Sequence, residues 1–373
     1  MKVGVNLCHL VPGETGGTEI YALRLLEALA ALDSAPDLVV FAPRAACEPL
    51  RREPWASSAE LVPLGFDARS RPARVVAEQT LLPRALRQRR LDLVHNMSSS
   101  APVFPGIPQV TTIHDLIYKR FPETHAGLFS YGMRVLVPLA AKRSRRIVAV
   151  SEATKRDIVE LLHVDSGRVD VTYEGPGMRE AQPVPEQLLR ERFDLGTAPI
   201  VLTVSAKRPH KNLERLFEAF ARVTLETLPV LVVPGYATSF EHDLLRRAEL
   251  AAPGRVRFTG WLEDDALEGF YRAASCFVFP SLAEGFGLPV LEALARGVPV
   301  ACSNASSLPE VAGDAALYFD PFDTDAITRA IERLLGEPEL RQRLAAAGLE
   351  RARSFTWEAA ASRTLETYRR TLL

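Results

Sequence analysis

Short β-type runs alternate with helical patterns along most of this chain, and no other feature limits its fold as strongly. The runs fall at residues 3–7, 38–41, 91–95, 109–113, 146–150 and 169–173. After a Pro/Gly-rich stretch the alternation begins again, at residues 200–204, 230–233, 256–258, 276–279, 298–302 and 316–318. Strand, helix, strand in repetition builds parallel sheets covered on both faces by helices. At 373 residues the chain is longer than one core usually supports. The expectation is therefore an α/β protein with two doubly wound domains, at residues 1–178 and 179–355. The Pro/Gly-rich segment 174–185 is the expected hinge between them. Residues 356–373 form a helical run with no partner strand, expected to cross back to the first domain.

Composition excludes several classes of function. A net charge of −1, with 24% charged and 47% hydrophobic residues, does not point to nucleic acid as a partner. Cys8, Cys47, Cys276 and Cys302 are scattered without CxxC spacing, which argues against zinc and disulfides. Cys8, Cys276 and Cys302 sit within or beside apolar runs, as buried thiols in a reducing cytoplasm would. The opening apolar run is too short for a signal peptide, and no stretch approaches the ~20 apolar residues that span a bilayer. Membrane contact, where it occurs, is expected to be peripheral. A basic helical pattern bearing Arg69, Arg71, Arg74, Arg84, Arg87, Arg89 and Arg90 is either a solvated face or a surface for anionic lipid or a polyanionic acceptor.

In doubly wound sheets ligands sit beyond the carboxyl ends of the strands. The second domain is richest there. Glu284-Gly285-Phe286-Gly287-Leu288-Pro289 follows the apolar run 276–279 and leads into a helix containing Glu292. Pro289 suits a first helical turn, and the glycines admit a ligand close to the backbone. The free amides and the positive dipole end of such a helix suit a diphosphate, with Glu284 and Glu292 aimed at sugar hydroxyls on either side. Lys207, Arg208 and Lys211, after the strand that ends near Ser205, would complement the same diphosphate. Residues 258–262, including Gly260, end another strand and border a nucleotide base, and residues 303–310 place small polar groups toward sugar or phosphates. Asp323-Thr324-Asp325 has the form of a metal-binding triplet but directly precedes a helical run, so helix capping is expected.

The first domain offers two further candidates. Gly16-Gly17, between the first strand and its helix, can present bare N–H groups to an anion or serve only as a turn. It is neither a GxGxxG fingerprint nor a Walker loop. His114 ends the run 109–113, where it either faces a sugar hydroxyl or bonds the next helix.

Taken in order, Gly16-Gly17-Thr18-Glu19, Ile113-His114-Asp115, Ala149-Val150-Ser151-Glu152, Pro209-His210-Lys211-Asn212, Glu284-x7-Glu292 and Ser307-Leu308-Pro309-Glu310-Val311 with Gly313 cover nearly the whole chain. Together they resemble the retaining GT-B glycosyltransferases of family four, the "group 1" enzymes that use nucleotide sugars. The resemblance implies two Rossmann-like domains facing a central cleft, the N-terminal one on the acceptor side and the C-terminal one binding the donor. It implies that Glu292 binds the donor ribose, Glu284 with Phe286, Gly287 and Leu288 the donor sugar and phosphates, Lys211 the diphosphate, Gly16 and Gly17 the phosphates, and His114 the transferred sugar. His114, Glu284 and Lys211 are the expected catalytic set. Where the family often has Gly-Arg this chain has Ser205-Ala206, so Arg208 or Lys207 is expected to stand in.

The implied chemistry is transfer with retained anomeric configuration, in which the departing phosphate helps deprotonate the acceptor, with neither metal nor cofactor. GDP-mannose is the favoured donor over UDP- or dTDP-sugars, and a glycan, glycolipid or natural product is the expected acceptor, as in polysaccharide biosynthesis. The expected location is the cytoplasm, with peripheral contact at the inner membrane face. A nucleotide-sugar epimerase, a phosphorylase, or a non-catalytic nucleotide-sugar-binding partner are the competing functions.

Overall fold

The computed structural model describes residues 1–122, 128–178 and 181–373, without the side chains of residues 128–131. Residues 179 and 180, inside the expected hinge, lie outside the described residues. The chain divides into two compact units, one of Met1–Gly177 with Thr356–Leu373, the other Met178–Phe355.

Among the described residues the first unit holds a seven-stranded parallel sheet in the order β3-β2-β1-β4-β5-β6-β7. Its strands are β1 (Lys2–Asn6), β2 (Asp37–Pro43), β3 (Ala59–Leu64), β4 (Leu93–Asn96), β5 (Gln109–Ile113), β6 (Arg146–Ala149) and β7 (Val169–Val171). Val3, Val5, Val39, Phe41, Val94 and Ile147 are buried, as continuous apolar runs covered on both faces require. The helix Trp357–Leu372 closes this unit. Its Tyr368 hydroxyl meets His95 Nδ1 at 2.7 Å, and Thr367 Oγ1 donates to Asp170 Oδ2 at 2.9 Å. Trp357 Nε1 donates to the Pro176 carbonyl at 2.8 Å.

The second unit holds a six-stranded parallel sheet in the order β10-β9-β8-β11-β12-β13. The strands are β8 (Ile200–Leu202), β9 (Val230–Pro234), β10 (Val256–Gly260), β11 (Cys276–Phe279), β12 (Val300–Ser303) and β13 (Ala316–Phe319). Phe217, Phe220, Ile327, Ile331 and Leu334 of two helices pack on Val201, Leu231, Val233 and Val278 of the strands. Within each unit the order 3-2-1-4-5-6 recurs, so each sheet reverses direction beside its first strand. At such a reversal the loops of the two flanking strands diverge and leave a crevice at the carboxyl edge. In the second unit those strands are β8 and β11; in the first, β1 and β4.

Two helix starts behave as expected. Asp323 caps the helix Thr324–Gly336 by accepting from the Ala326 amide at 2.9 Å, and Ser151 caps Glu152–Leu162 by accepting from Thr154 N at 3.0 Å. All four cysteines are buried and free. Among the described residues no helix is long and apolar enough to cross a membrane.

Candidate active site

The loops leaving β8 and β11 are fastened to each other before any ligand enters. Leu282 N donates to the His210 carbonyl at 2.8 Å, and Asn212 Nδ2 donates to the carbonyls of Pro280 at 3.1 Å and Pro321 at 2.7 Å. Asn212 adopts a left-handed φ of 58°, which asparagine tolerates better than most residues. These ties bring Lys211, at the end of the short turn Pro209–Lys211, onto Glu284. Lys211 Nζ donates to Glu284 Oε1 at 2.6 Å, with the side chains 14% and 10% exposed. The ammonium also lies 5.2 Å from the centre of the Phe279 ring. A cation and an acid so placed are held in position with little freedom of their own, the requirement for stabilising charge that develops during a reaction.

Beyond Glu284 the chain turns through Gly287, at φ 109°, into the helix Leu288–Ala295 with Pro289 in its first turn. The dihedral requires glycine, and a side chain there would also push the Leu308 Cδ2 methyl, 2.7 Å away, out of place. The Leu288 amide has no acceptor among the described residues, leaving the helix start open to an anion. Phe286 is buried and packs edge-on against Phe355 at 5.8 Å between ring centres. Glu292, one turn in, is only 5% exposed; Oε1 accepts from Met178 N at 3.2 Å and Oε2 from the Tyr271 hydroxyl at 3.0 Å. Burial raises its pKa despite the nearby Arg296 and these two hydrogen bonds. Arg296 lies 4.9 Å from the Tyr271 ring centre and donates to Glu268 Oε2. Tyr271 and Met178 thus fix Glu292, and nothing in their sequence spacing marks them as its partners.

Two expectations change. Lys207 is not a phosphate cation. Its side chain is fully buried, and Nζ donates to the carbonyls of Gly235 at 2.6 Å and Val233 at 3.3 Å, with burial lowering its pKa to about 8. It secures the end of β9. Arg208 is exposed, with no side-chain partner among the described residues. The hydroxyls of Ser306 and Ser307, expected to reach a ligand, instead brace the backbone: both donate to the Glu284 carbonyl, at 2.6 and 3.1 Å, and Ser307 also to that of Phe286 at 2.7 Å. Ser205 Oγ is buried without a partner among the described residues. Gly260 ends β10 and accepts from the Gly235 amide at 2.9 Å. Beside it Tyr236 and Trp261 stack at 4.2 Å, with Trp261 half exposed, an aromatic face at the same sheet edge.

In the first unit Gly16 precedes the helix Gly17–Ala30, and neither glycine's amide has an acceptor among the described residues. The amides of Gly13 and Thr15 are held by the Glu19 carboxylate at 3.0 to 3.3 Å, so that side chain shapes the loop and leaves the glycine pair open. His114 Nε2 meets the Met97 carbonyl at 2.9 Å, Nδ1 lies 3.8 Å from Glu174 Oε1, and the ring packs edge-on to Tyr21 at 4.8 Å. Burial opposes its positive charge, but Glu174 and the Met97 carbonyl outweigh that and raise its pKa above 6.5. Stabilisation from this group is complete below the unfolded pKa and is lost as pH rises through the raised folded value. His114→Gln should therefore flatten the fall in melting temperature as pH rises above about 6.5, as measured by thermal unfolding across pH.

The whole chain superposes on sucrose-phosphate synthase from Thermosynechococcus elongatus (TM-score 0.77, 22% identity, 99% of this chain and 98% of that one). It also superposes on Anabaena HepE in complex with UDP and glucose (TM-score 0.76, 20% identity, 98% and 99%). These likenesses define the GT-B fold. The family described as "Glycosyltransferase Family 4" matches residues 15–175, and "Glycosyl transferases group 1" matches residues 186–351. The O-antigen chain mannosyltransferase B of Escherichia coli is 33% identical over 266 residues, 70% of each chain. The MMP alpha-(1->4)-mannosyltransferase of Mycolicibacterium hassiacum is 30% identical over 281 residues, 72% of this chain and 66% of that protein. The chain belongs to the group 1, family 4 glycosyltransferases.

Proposed function

We propose that this glycosyltransferase moves mannose from GDP-mannose to a sugar hydroxyl of a glycan or glycolipid, with retention and without a metal. The Lys211–Glu284 pair at the crevice between β8 and β11 carries the proposal. The diphosphate rests at the start of the helix Leu288–Ala295, with Lys211 and Arg208 supplying positive charge and Glu284 holding the Lys211 ammonium in place. Glu292, whose two oxygens each retain accepting capacity beyond the bonds they make, takes the ribose hydroxyls. His114, raised toward its charged form, addresses the transferred sugar. As the bond from the anomeric carbon to the phosphate oxygen breaks, the acceptor oxygen bonds on the same face, and its proton passes to the departing diphosphate. The mannosyltransferases among the relatives support the choice of mannose.

The test is a panel of GDP-, UDP-, ADP- and dTDP-sugars with mixed glycan acceptors, with and without EDTA. GDP should raise the melting temperature most, because a ligand bound only to the folded state stabilises it. GDP-mannose should turn over undiminished by EDTA, and NMR of the product should show an α-linkage. An inverted product, or preference for another base, contradicts the proposal. Donor turnover to a new free nucleotide sugar would instead favour an epimerase.

A further inference from the structure

The basic residues that the sequence groups around the helix Arg71–Arg87 divide in the structure. Arg69 pairs with Glu14 at 2.7 Å, Arg74 donates to the His9 carbonyl at 3.4 Å, and Arg89 pairs with Glu60 at 2.9 Å. Arg84, Arg87 and Arg90 are exposed and have no ion pair among the described residues. The same holds for Lys142 and Arg143, which end the helix Leu128–Arg143, and for Arg145 beyond it. The two helix ends meet. Arg87 and Arg143 line one cleft of about 580 Å³ with Phe104, Pro105 and Ile107 of the loop between β4 and β5. Phe104 is 74% exposed, and its ring centre lies 5.0 Å from the Arg143 guanidinium carbon. The cleft sits at the amino edge of the first sheet, since Pro108, also in its lining, leads directly into β5, and the Arg145 amide donates to the Gln109 carbonyl at 2.8 Å.

Cations in the last turn of a helix complement its dipole, which accounts for Arg84, Arg87, Lys142 and Arg143 taken singly. It does not account for an exposed phenylalanine lining the same cleft as two of them. Nor does it explain the shortage of acids: residues 79–109 contain only Asp92 and residues 128–150 contain none, in a chain whose net charge is −1. Asp92 accepts from the Lys2 amide at 2.8 Å, and Glu60 is taken by Arg89. We propose that this edge docks on an anionic phospholipid membrane, with the six unpaired cations on the headgroup phosphates and Phe104 entering the interface. Positive charge around an exposed aromatic side chain suits a peripheral membrane surface, whereas a soluble polyanion requires only the charge. His114 and Gly16-Gly17 follow the opposite, carboxyl ends of β5 and β1, so docking here leaves that edge of the sheet clear.

The test is co-sedimentation of the full chain with vesicles of phosphatidylcholine, alone or mixed with phosphatidylglycerol, at low and high salt. Wild type should sediment only with the vesicles that contain phosphatidylglycerol, and salt should weaken the binding. One basic residue near an anionic surface is worth about fivefold in partitioning, so Arg87→Gln combined with Arg143→Gln should weaken binding about twentyfold at an unchanged melting temperature. Phe104→Trp, with every cation kept, should show a blue shift of fluorescence on adding phosphatidylglycerol vesicles that wild type lacks, and no shift on adding soluble polyphosphate. No sedimentation of wild type with phosphatidylglycerol vesicles, equal binding to phosphatidylcholine alone, full binding by the double variant, or no blue shift in Phe104→Trp overturns the proposal. Tight polyphosphate binding without that shift on vesicles would assign the surface to a soluble polyanion instead. Should the double variant melt lower than wild type, the fluorescence of Phe104→Trp decides.

Discussion

Lys211→Ala should lower kcat by about 10²- to 10³-fold, the range seen when one preorganised group facing developing charge is removed. The ammonium is held against Glu284 at 2.6 Å with both side chains largely shielded, so its charge is screened weakly and has nowhere else to go. Alanine leaves Glu284 facing the diphosphate with no cation between them, which adds repulsion to the lost attraction. Glu284→Ala removes the partner that aims the ammonium and should abolish transfer in the same way. The pair retains some exposure, so the cost in stability should fall below the about 3–5 kcal/mol of breaking a fully enclosed ion pair. Single-turnover rates with urea unfolding on each variant separate the two effects. A folded Glu284→Ala enzyme at full speed would remove the site from the mechanism.

Glu292→Ala should damage both stability and donor affinity. The half-buried Met178 amide loses its acceptor and the buried Tyr271 hydroxyl is left with only the Pro289 carbonyl at 3.5 Å, and a buried donor left poorly paired costs about 1–3 kcal/mol. A drop of several degrees in melting temperature follows, at about 2–4 °C per kcal/mol for a domain of this size. Loss of the ribose contact should raise the donor KM by about tenfold, again the worth of one hydrogen bond, with a smaller change in kcat. Glu292→Gln keeps an acceptor for one partner and should fall between. An unchanged donor KM in a folded Glu292→Ala protein would show that the ribose sits elsewhere.

Most of the fold was readable because parallel strands covered on both faces must be continuously apolar, and runs such as Cys276–Phe279 are. The missed strand, β3, lies at the sheet edge; its burial alternates and it contains Pro63, so it lacks that signature. Expected strand ends coincide with the observed ones at 109–113 and 276–279 and elsewhere differ by up to two residues, as with residues 91–95 against Leu93–Asn96. Glu284, Lys211 and Glu292 stood out because they cluster at strand ends, but the pairing of Lys211 with Glu284 joins positions far apart in the chain. Lys207 looked equivalent to Lys211. Only the sheet, which turns the first onto the Val233 and Gly235 carbonyls at the end of β9 and the second onto Glu284, separates a structural lysine from a candidate catalytic one. Ser306 and Ser307 show the same limit, since a hydroxyl that braces a loop has the same sequence as one that meets a ligand.

The account depends on the β8 and β11 loops of the second unit gripping the diphosphate of a nucleotide sugar. Calorimetric titration of GDP into the wild-type protein and into Lys211→Ala tests this directly. Saturable binding to wild type, weakened at least about tenfold in the variant, is the predicted result. Equal affinity for the two proteins, or no binding to either, would contradict it.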